Sequence, residues 1–306
     1  MNQVTFFLKT SPPFRLDLTV WVLRRRARNT VDQWDGHSYY RMLAIGETPV
    51  KLVVSQNADG DPGLLVNLYS EINLTAEQQV EAQGLVSRML GLSIDVSPFY
   101  ALATITPSIS VLAAQFYGVR PPRFPTVFET LVNAIACQQV SLDVGILILG
   151  RFATSFGMTF MDSRSEPHAF PRPDDLVDIP EAAFRELGLS HQKTRAIKGL
   201  ALGIMNGDID FTQLESADNE KAAVYMRAIR GIGRWSAEYT LLRGLGRLDA
   251  FPGDDIGGQN NIQKLLRLDD RPDYGQLKIL TSAWHPYAGF IYFHLLLDRL
   301  HAKGLT

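Results

Sequence analysis

Two adjacent carboxylates, Asp254 and Asp255, follow Pro252 and Gly253 and head a segment with helical spacing over residues 256–266. An acid at a helix start caps the first free N–H groups, and the helix dipole keeps it ionised. An ionised carboxylate is also what a reaction through an oxocarbenium-like sugar needs, because it stabilises the developing positive charge. One acid of the pair can cap while the other acts, and spacing alone does not assign the roles. Upstream, Trp235 and Tyr239 are i and i+4 on another helical run, so their rings project from one face a turn apart. Such rings suit stacking on a base drawn out of its duplex, and they would serve equally well as core.

The elements that must position these groups begin with a turn. Ile229, Gly231, Ile232 and Gly233 punctuate two helical runs, residues 221–228 and 234–243, in a helix-hairpin-helix pattern. Glycine at both places lets the chain reverse tightly and leaves backbone N–H groups uncovered at the start of the second helix, where a phosphate fits. From residue 226 to 246 four arginines (Arg227, Arg230, Arg234, Arg243) face one acid, Glu238, and Lys193, Arg195 and Lys198 lie upstream. The hairpin is thus locally cationic in a chain of net charge −2, which weighs against a uniformly basic surface. The bland alternative is that these charges only solvate helix faces. Gln138 and Gln139 sit between two apolar helical runs, and as amides they are either buried core groups or cleft-facing ones.

Length and composition bound the rest. A chain of 306 residues with 46% hydrophobic and 10% aromatic residues holds about two folded domains. The single Cys137 excludes an intrachain disulfide framework and any four-cysteine zinc or iron–sulfur site. The start has too short an apolar run for a secretory segment, and no later stretch offers about 18 uninterrupted apolar residues, so a soluble, cytoplasmic protein is expected. The six histidines show no tight metal spacing, which assigns them to surface or core, and neither a P-loop nor a GxSxG elbow occurs.

Residues 14–23, FRLDLTVWVL, read as a strand, with further strands at residues 39–45, 50–55 and 64–69 and turns at Asp35-Gly36 and Asp59-Gly60. Together they form a small antiparallel sheet. Arg24, Arg25, Arg26 and Arg28 then read as a solvated strand end, with phosphate contact as the other option. Thr75 and Gln78 make a capping box for a helix reaching toward Gly91. Pro121, Pro122 and Pro125 mark a boundary that divides the chain into domains 1–120 and 121–306, the second almost wholly helical. Within it, a helix over residues 180–187 ends at Gly188, Ser190 caps the next, and Pro286 fits the first turn of the last.

The stretch IRGIGRWSAEYTLLRGLGRLDAFPGDDIG resembles the helix-hairpin-helix DNA glycosylases, and among them the bacterial 3-methyladenine DNA glycosylase II type. FETLVNAIACQQVS, LGLSHQKTRAIKGLA and, more loosely, DGHSYYRMLAIGE extend the likeness over most of the chain. The resemblance implies an α+β fold, a small sheet-plus-helix module followed by a helical bundle in two lobes with the active cleft between them. It implies a monomer that binds double-stranded DNA near the nucleoid, flips out a damaged base and hydrolyses its N-glycosidic bond. Residue by residue it makes Asp255 catalytic and Asp254 structural, and it places Trp235, Tyr239 and Gln138 around the base and Gln139 at the wedge. It places phosphate on Gly231, Ile232, Gly233 and Arg234. No cofactor is required, while a sodium or potassium ion is implied at the carbonyls of Arg227 and Ile229.

Two departures matter. The wedge position, usually apolar, holds Gln139, and an additional pocket tryptophan is replaced near Leu296, leaving Trp21 as a candidate to fill that wall. The position of a Schiff-base lysine in bifunctional relatives holds Trp235, and no lysine lies between Lys221 and Lys264. Hydrolysis of alkylated, cationic purines without a lyase step is therefore the expected activity. The alternatives are a glycosylase for oxidised or deaminated bases, and a non-catalytic protein that grips DNA by the hairpin alone.

Overall fold

The computed structural model describes residues 1–56, 62–161 and 166–306. Five strands, β1 (Asn2–Lys9), β2 (Gln33–Trp34), β3 (Ser38–Ile45), β4 (Thr48–Gln56) and β5 (Gly63–Ser70), form one antiparallel sheet in the order β1-β5-β4-β3-β2. The alternation of β3, β4 and β5 sends Tyr39, Leu43, Val50, Leu52, Val54, Leu64, Val66 and Leu68 into one core. The strands expected at residues 39–45, 50–55 and 64–69 are these three. Gly36, at φ +102°, makes the Asp35-Gly36 turn, while the Asp59-Gly60 turn lies outside the described residues. β1 went unread in the sequence although NQVTFFLK alternates along its length; it is an edge strand that pairs with β5 alone.

Residues 14–23 are not a strand. They contribute helix α1 (Leu16–Arg24), in which every residue but Asp17 is buried. Leu16, Val20 and Leu23 point to the sheet core, whereas Leu18, Trp21 and Val22 point to the core of the helical part. The short run is rich in β-branched and aromatic residues, and that composition, not its period, reads as a strand. The arginines that follow are not a solvated strand end either: Arg24 and Arg25 are buried, and Arg26 and Arg28 both reach Asp143.

Helix α2 (Ala76–Met89) begins with the expected Thr75–Gln78 capping box and covers the sheet with Ala82, Val86 and Met89. Helices α3 (Ser97–Ile105) and α4 (Pro107–Gln115) follow, then α5 (Val127–Cys137), α6 (Leu142–Phe156), α7 (Glu181–Glu186) and α8 (His191–Met205). The chain closes with α9 (Asn219–Ala228), α10 (Arg234–Arg243), α11 (Ile256–Leu266), α12 (Tyr274–Ser282) and α13 (Ala288–His301). Pro286 precedes α13 rather than lying in its first turn. One large core joins α1, α3, α4, α5, α6, α8, α10 and α13, so helices before the proline stretch share apolar contacts with those after it. Among the described residues no helix is long and apolar enough to cross a membrane.

Candidate active site

The hairpin forms as its glycines require. Asp218 caps α9 by accepting from the N–H of Lys221, and the helix ends at Ala228. Gly231 then adopts φ +86°, a conformation that costs a residue with a Cβ, and a Cβ there would also lie 2.5 Å from the Cβ of Ala196. Gly233 is the N-cap of α10 and offers no side chain to its first turn, so the N–H groups there have no side-chain cap. Of the turn's own donors, Ile232 N–H is committed to the carbonyl of Ile229 at 3.1 Å. Gly231, Gly233 and Arg234 are exposed.

Beyond α10 the chain is drawn tight before the two acids. Glu238 accepts the N–H of Gly253 at 2.9 Å and the phenol of Tyr274 at 2.6 Å, while Gln259 donates to the carbonyl of Gly253 at 2.9 Å. Burial pushes the Glu238 carboxyl up, and its two donors oppose this. A Cβ on Gly253 would meet the Tyr274 ring at 2.7 Å, so a side chain here would have to displace that ring. Asp255 caps α11, its Oδ2 accepting from Gly258 N–H at 3.0 Å, and the same oxygen accepts from the phenol of Tyr292 at 2.8 Å. Asp254 instead receives two hydrogen bonds from Arg234, at 2.6 and 2.7 Å, and the guanidinium lies 3.7 Å over the Tyr274 ring.

Asp255, Trp235, Tyr239, Gln138 and Gln139 line one cavity of about 770 Å³ where α1, the α5–α6 turn, α10, α11 and α13 converge. The two rings are stacked, 5.2 Å between centroids and 27° between planes. Tyr239 is buried and the Arg243 guanidinium lies 5.4 Å from its ring centroid, so the rings form one column rather than two jaws, and Trp235 is its more exposed member. Gln138 commits its amide nitrogen to Gly231 O at 3.0 Å and Ser236 Oγ at 2.9 Å, tying the end of α5 to the hairpin. Gln139 is exposed at φ +53°, a backbone conformation that costs a side-chain-bearing residue of the order of 1 kcal/mol or more.

Several groups in this wall were not anticipated. Arg25, just past α1 at φ +60°, turns inward and donates to Tyr239 OH at 2.8 Å and Asn133 Oδ1 at 2.7 Å. Burial of Tyr239 raises its phenol, and the Arg25 charge opposes the rise. Tyr292 comes from the last helix. Its sole sequence signal is a hydroxyl within the otherwise apolar run FIYF, and Arg25 is one of three consecutive arginines with nothing to single it out. Leu296 lines the cavity as expected, but Trp21 does not compensate for it: its ring is in the helical core with the Arg24 guanidinium 4.8 Å from its centroid.

The upstream cations are also structural in part. Lys193 donates to the carbonyls of Ala136 and Gln138, and Lys198 to that of Ile179. Of the six histidines, His294 is fully buried against Phe290 O and its burial drives it down to about 4, a neutral core group. Among the described residues no cluster of three or more His, Cys, Asp or Glu side chains is placed to hold a metal.

A glycine hairpin that ends in an uncapped helix start, followed by a loop that sets two carboxylates on a ring-lined cavity, defines a helix-hairpin-helix DNA repair protein. The chain belongs to the HhH-GPD superfamily of base excision DNA repair proteins, which matches residues 132–286, half of its length. It is 23% identical to the DNA-3-methyladenine glycosylase of Bacillus subtilis (strain 168) over 92% of this chain and 93% of that one. It is 26% identical to DNA-3-methyladenine glycosylase 2 of Escherichia coli (strain K12) over 95% and 96%. Among solved structures, the 3-methyladenine DNA glycosylase from Archaeoglobus fulgidus superposes with a TM-score of 0.82 at 21% identity, over 96% of this chain and 98% of that one. At that identity the likeness establishes the fold, a sheet domain joined to a helical glycosylase bundle.

Proposed function

We propose that the protein is a DNA glycosylase that removes alkylated purines, such as 3-methyladenine and 7-methylguanine, from duplex DNA by hydrolysing the N-glycosidic bond. The observation that carries this is Asp255, a carboxylate that forms no ion pair among the described residues, on the wall of a cavity lined by Trp235 and Tyr239. The names of the B. subtilis and E. coli relatives, each aligned over more than nine-tenths of this chain, support the substrate class.

The mechanism follows from charge. An alkylated purine of this type is cationic and leaves its sugar readily, so little general-acid help is needed. Asp255 stabilises the sugar cation or orients the attacking water. The Trp235 face favours an electron-poor base through cation–π attraction, worth about 0.5–2 kcal/mol, and Gln138 borders the same space. Phosphate docks on the N–H groups of Gly231, Gly233 and Arg234, with the Ile232 N–H held within the turn. Gln139, exposed on strained backbone at the cavity rim, fills the gap left by the flipped base. The carbonyls of Arg227, in the last turn of α9, and Ile229, just past it and already accepting from Ile232 N–H, suit a sodium or potassium ion that would add positive charge beside the phosphate. Catalysis needs no cofactor and a monomer suffices, acting on the nucleoid in the cytoplasm.

We infer that no lyase step follows. Trp235 occupies the first turn of α10, no lysine lines the cavity among the described residues, and Lys193 is bound to carbonyls of α5 and the turn after it. The test is release of free base from methylated duplex DNA, with strand cleavage followed on the same samples. Methylated purines and uncut abasic strands are expected. Cleavage by β-elimination would overturn the hydrolytic reading, and release of hypoxanthine or 8-oxoguanine in place of methylated purines would overturn the substrate class.

A further inference from the structure

The two oxygens of Asp255 are not equivalent. Oδ2 takes both hydrogen bonds, from Gly258 N–H and from the Tyr292 phenol, and among the described residues none donates to Oδ1. The Gly258 bond is the one any capping aspartate makes. Alone it leaves the carboxylate plane loosely set, because the torsion about Cβ–Cγ has a broad, roughly two-fold profile. A second donor reaching the same oxygen from α13 closes that freedom, and among the described residues it leaves Oδ1 without a donor.

The surroundings are shaped for that donor. The Tyr292 ring stands edge-on to Phe251, with centroids 5.4 Å apart and planes at 86°. A Cβ built on Gly258 would lie 3.2 Å from Tyr292 Cε2 and 3.3 Å from Phe251 Cε1, so the glycine at the start of α11 leaves the ring its seat. Burial and the nearby Asp255 charge push the Tyr292 phenol well above its usual value, which keeps it protonated and donating at neutral pH. A lysine or arginine in its place would hold the carboxylate equally well but would cancel its charge.

We propose that Tyr292 is a positioning residue for Asp255: its phenol fixes the carboxylate plane and leaves Oδ1 to face the deoxyribose, without adding a compensating charge. This rests on the reading of Asp255 given above. The variant Tyr292→Phe removes the hydroxyl and keeps the ring.

Single-turnover release of 7-methylguanine from methylated duplex is expected to fall about tenfold, the scale of one charge-assisted hydrogen bond. Affinity for duplex carrying a tetrahydrofuran abasic analogue is expected to be unchanged. In the Asp255→Asn background the second substitution should cost nothing more, whereas a residue that merely supports the fold would lower residual activity there too. Crystal structures of wild type and Tyr292→Phe are expected to show the Asp255 carboxylate rotated about Cβ–Cγ in the variant. An unchanged rate, or a carboxylate plane that stays in place, overturns the role of Tyr292. If the wild-type protein were inert on every lesion, the functional reading would fail instead, and the carboxylate plane would still decide the role of Tyr292.

Discussion

Asp254 and Asp255 are neighbours in the chain and opposites in setting. Both line the cavity, but Asp254 meets a guanidinium in a two-point pair, with its side chain 32% exposed and that of Arg234 46% exposed. Among the described residues Asp255 accepts hydrogen bonds from neutral donors alone, a backbone N–H and a phenol. The first carboxylate is neutralised and anchors the loop to α10. The second is held by donors that carry no charge. A site that must stabilise a transient cation needs the second arrangement, because a fixed anion screened by its own counter-ion has little field left to offer.

The largest expected effect comes from removing that charge while keeping everything else. Asparagine caps a helix about as well as aspartate, so Asp255→Asn should leave the melting temperature and the affinity for abasic-analogue DNA unchanged. Base release should fall by more than about 100-fold, the scale seen when one preorganised electrostatic group is lost. Full activity in this variant would reduce Asp255 to a cap and erase the contrast between the two acids.

That contrast was half legible in the sequence. The hairpin glycines, the i, i+4 ring pair and the two acids lie within one short stretch, where local spacing reports geometry directly, and the folded chain brings the rings and the acids to one cavity. The groups that set their properties come from elsewhere. Arg25 follows α1, whose β-branched and aromatic composition made it look like a strand, and Tyr292 stands on the last helix among residues chosen for packing. Contacts such as Arg25 to Tyr239 and Tyr292 to Asp255 join distant parts of the chain, and no periodicity encodes them. The spacing left open which acid caps and which acts. In the fold Asp255 both caps and lines the cavity, so the two roles are not exclusive.

The next effect in size tests the opposite wall. Arg25→Met removes a buried donor from Tyr239 OH and Asn133 Oδ1 together. Each of the two acceptors left without this donor costs about 1–3 kcal/mol, so denaturant unfolding should show a loss of about 2–6 kcal/mol, and base release should fall because the Tyr239–Trp235 column loses its anchor. Unchanged stability would mean that the arginine only fills space there.

The smallest effect belongs to Asp254→Asn, and it is the most discriminating. The pair with Arg234 is exposed, so its loss should change stability by less than about 1 kcal/mol. Glu238 and Gln259 still hold the loop through Gly253, so Asp255 should keep its place and base release should stay near the wild-type rate. What should change is DNA binding. Without its carboxylate partner the Arg234 guanidinium, at the start of the helix after the hairpin, is free to meet a phosphate, and one more phosphate contact steepens the fall of log affinity with log salt by about 0.9. Titrations of abasic-analogue duplex across a range of salt would read that slope. A variant that binds with wild-type slope but releases base as slowly as Asp255→Asn would exchange the roles of the two acids, making the anchored carboxylate the one the reaction uses.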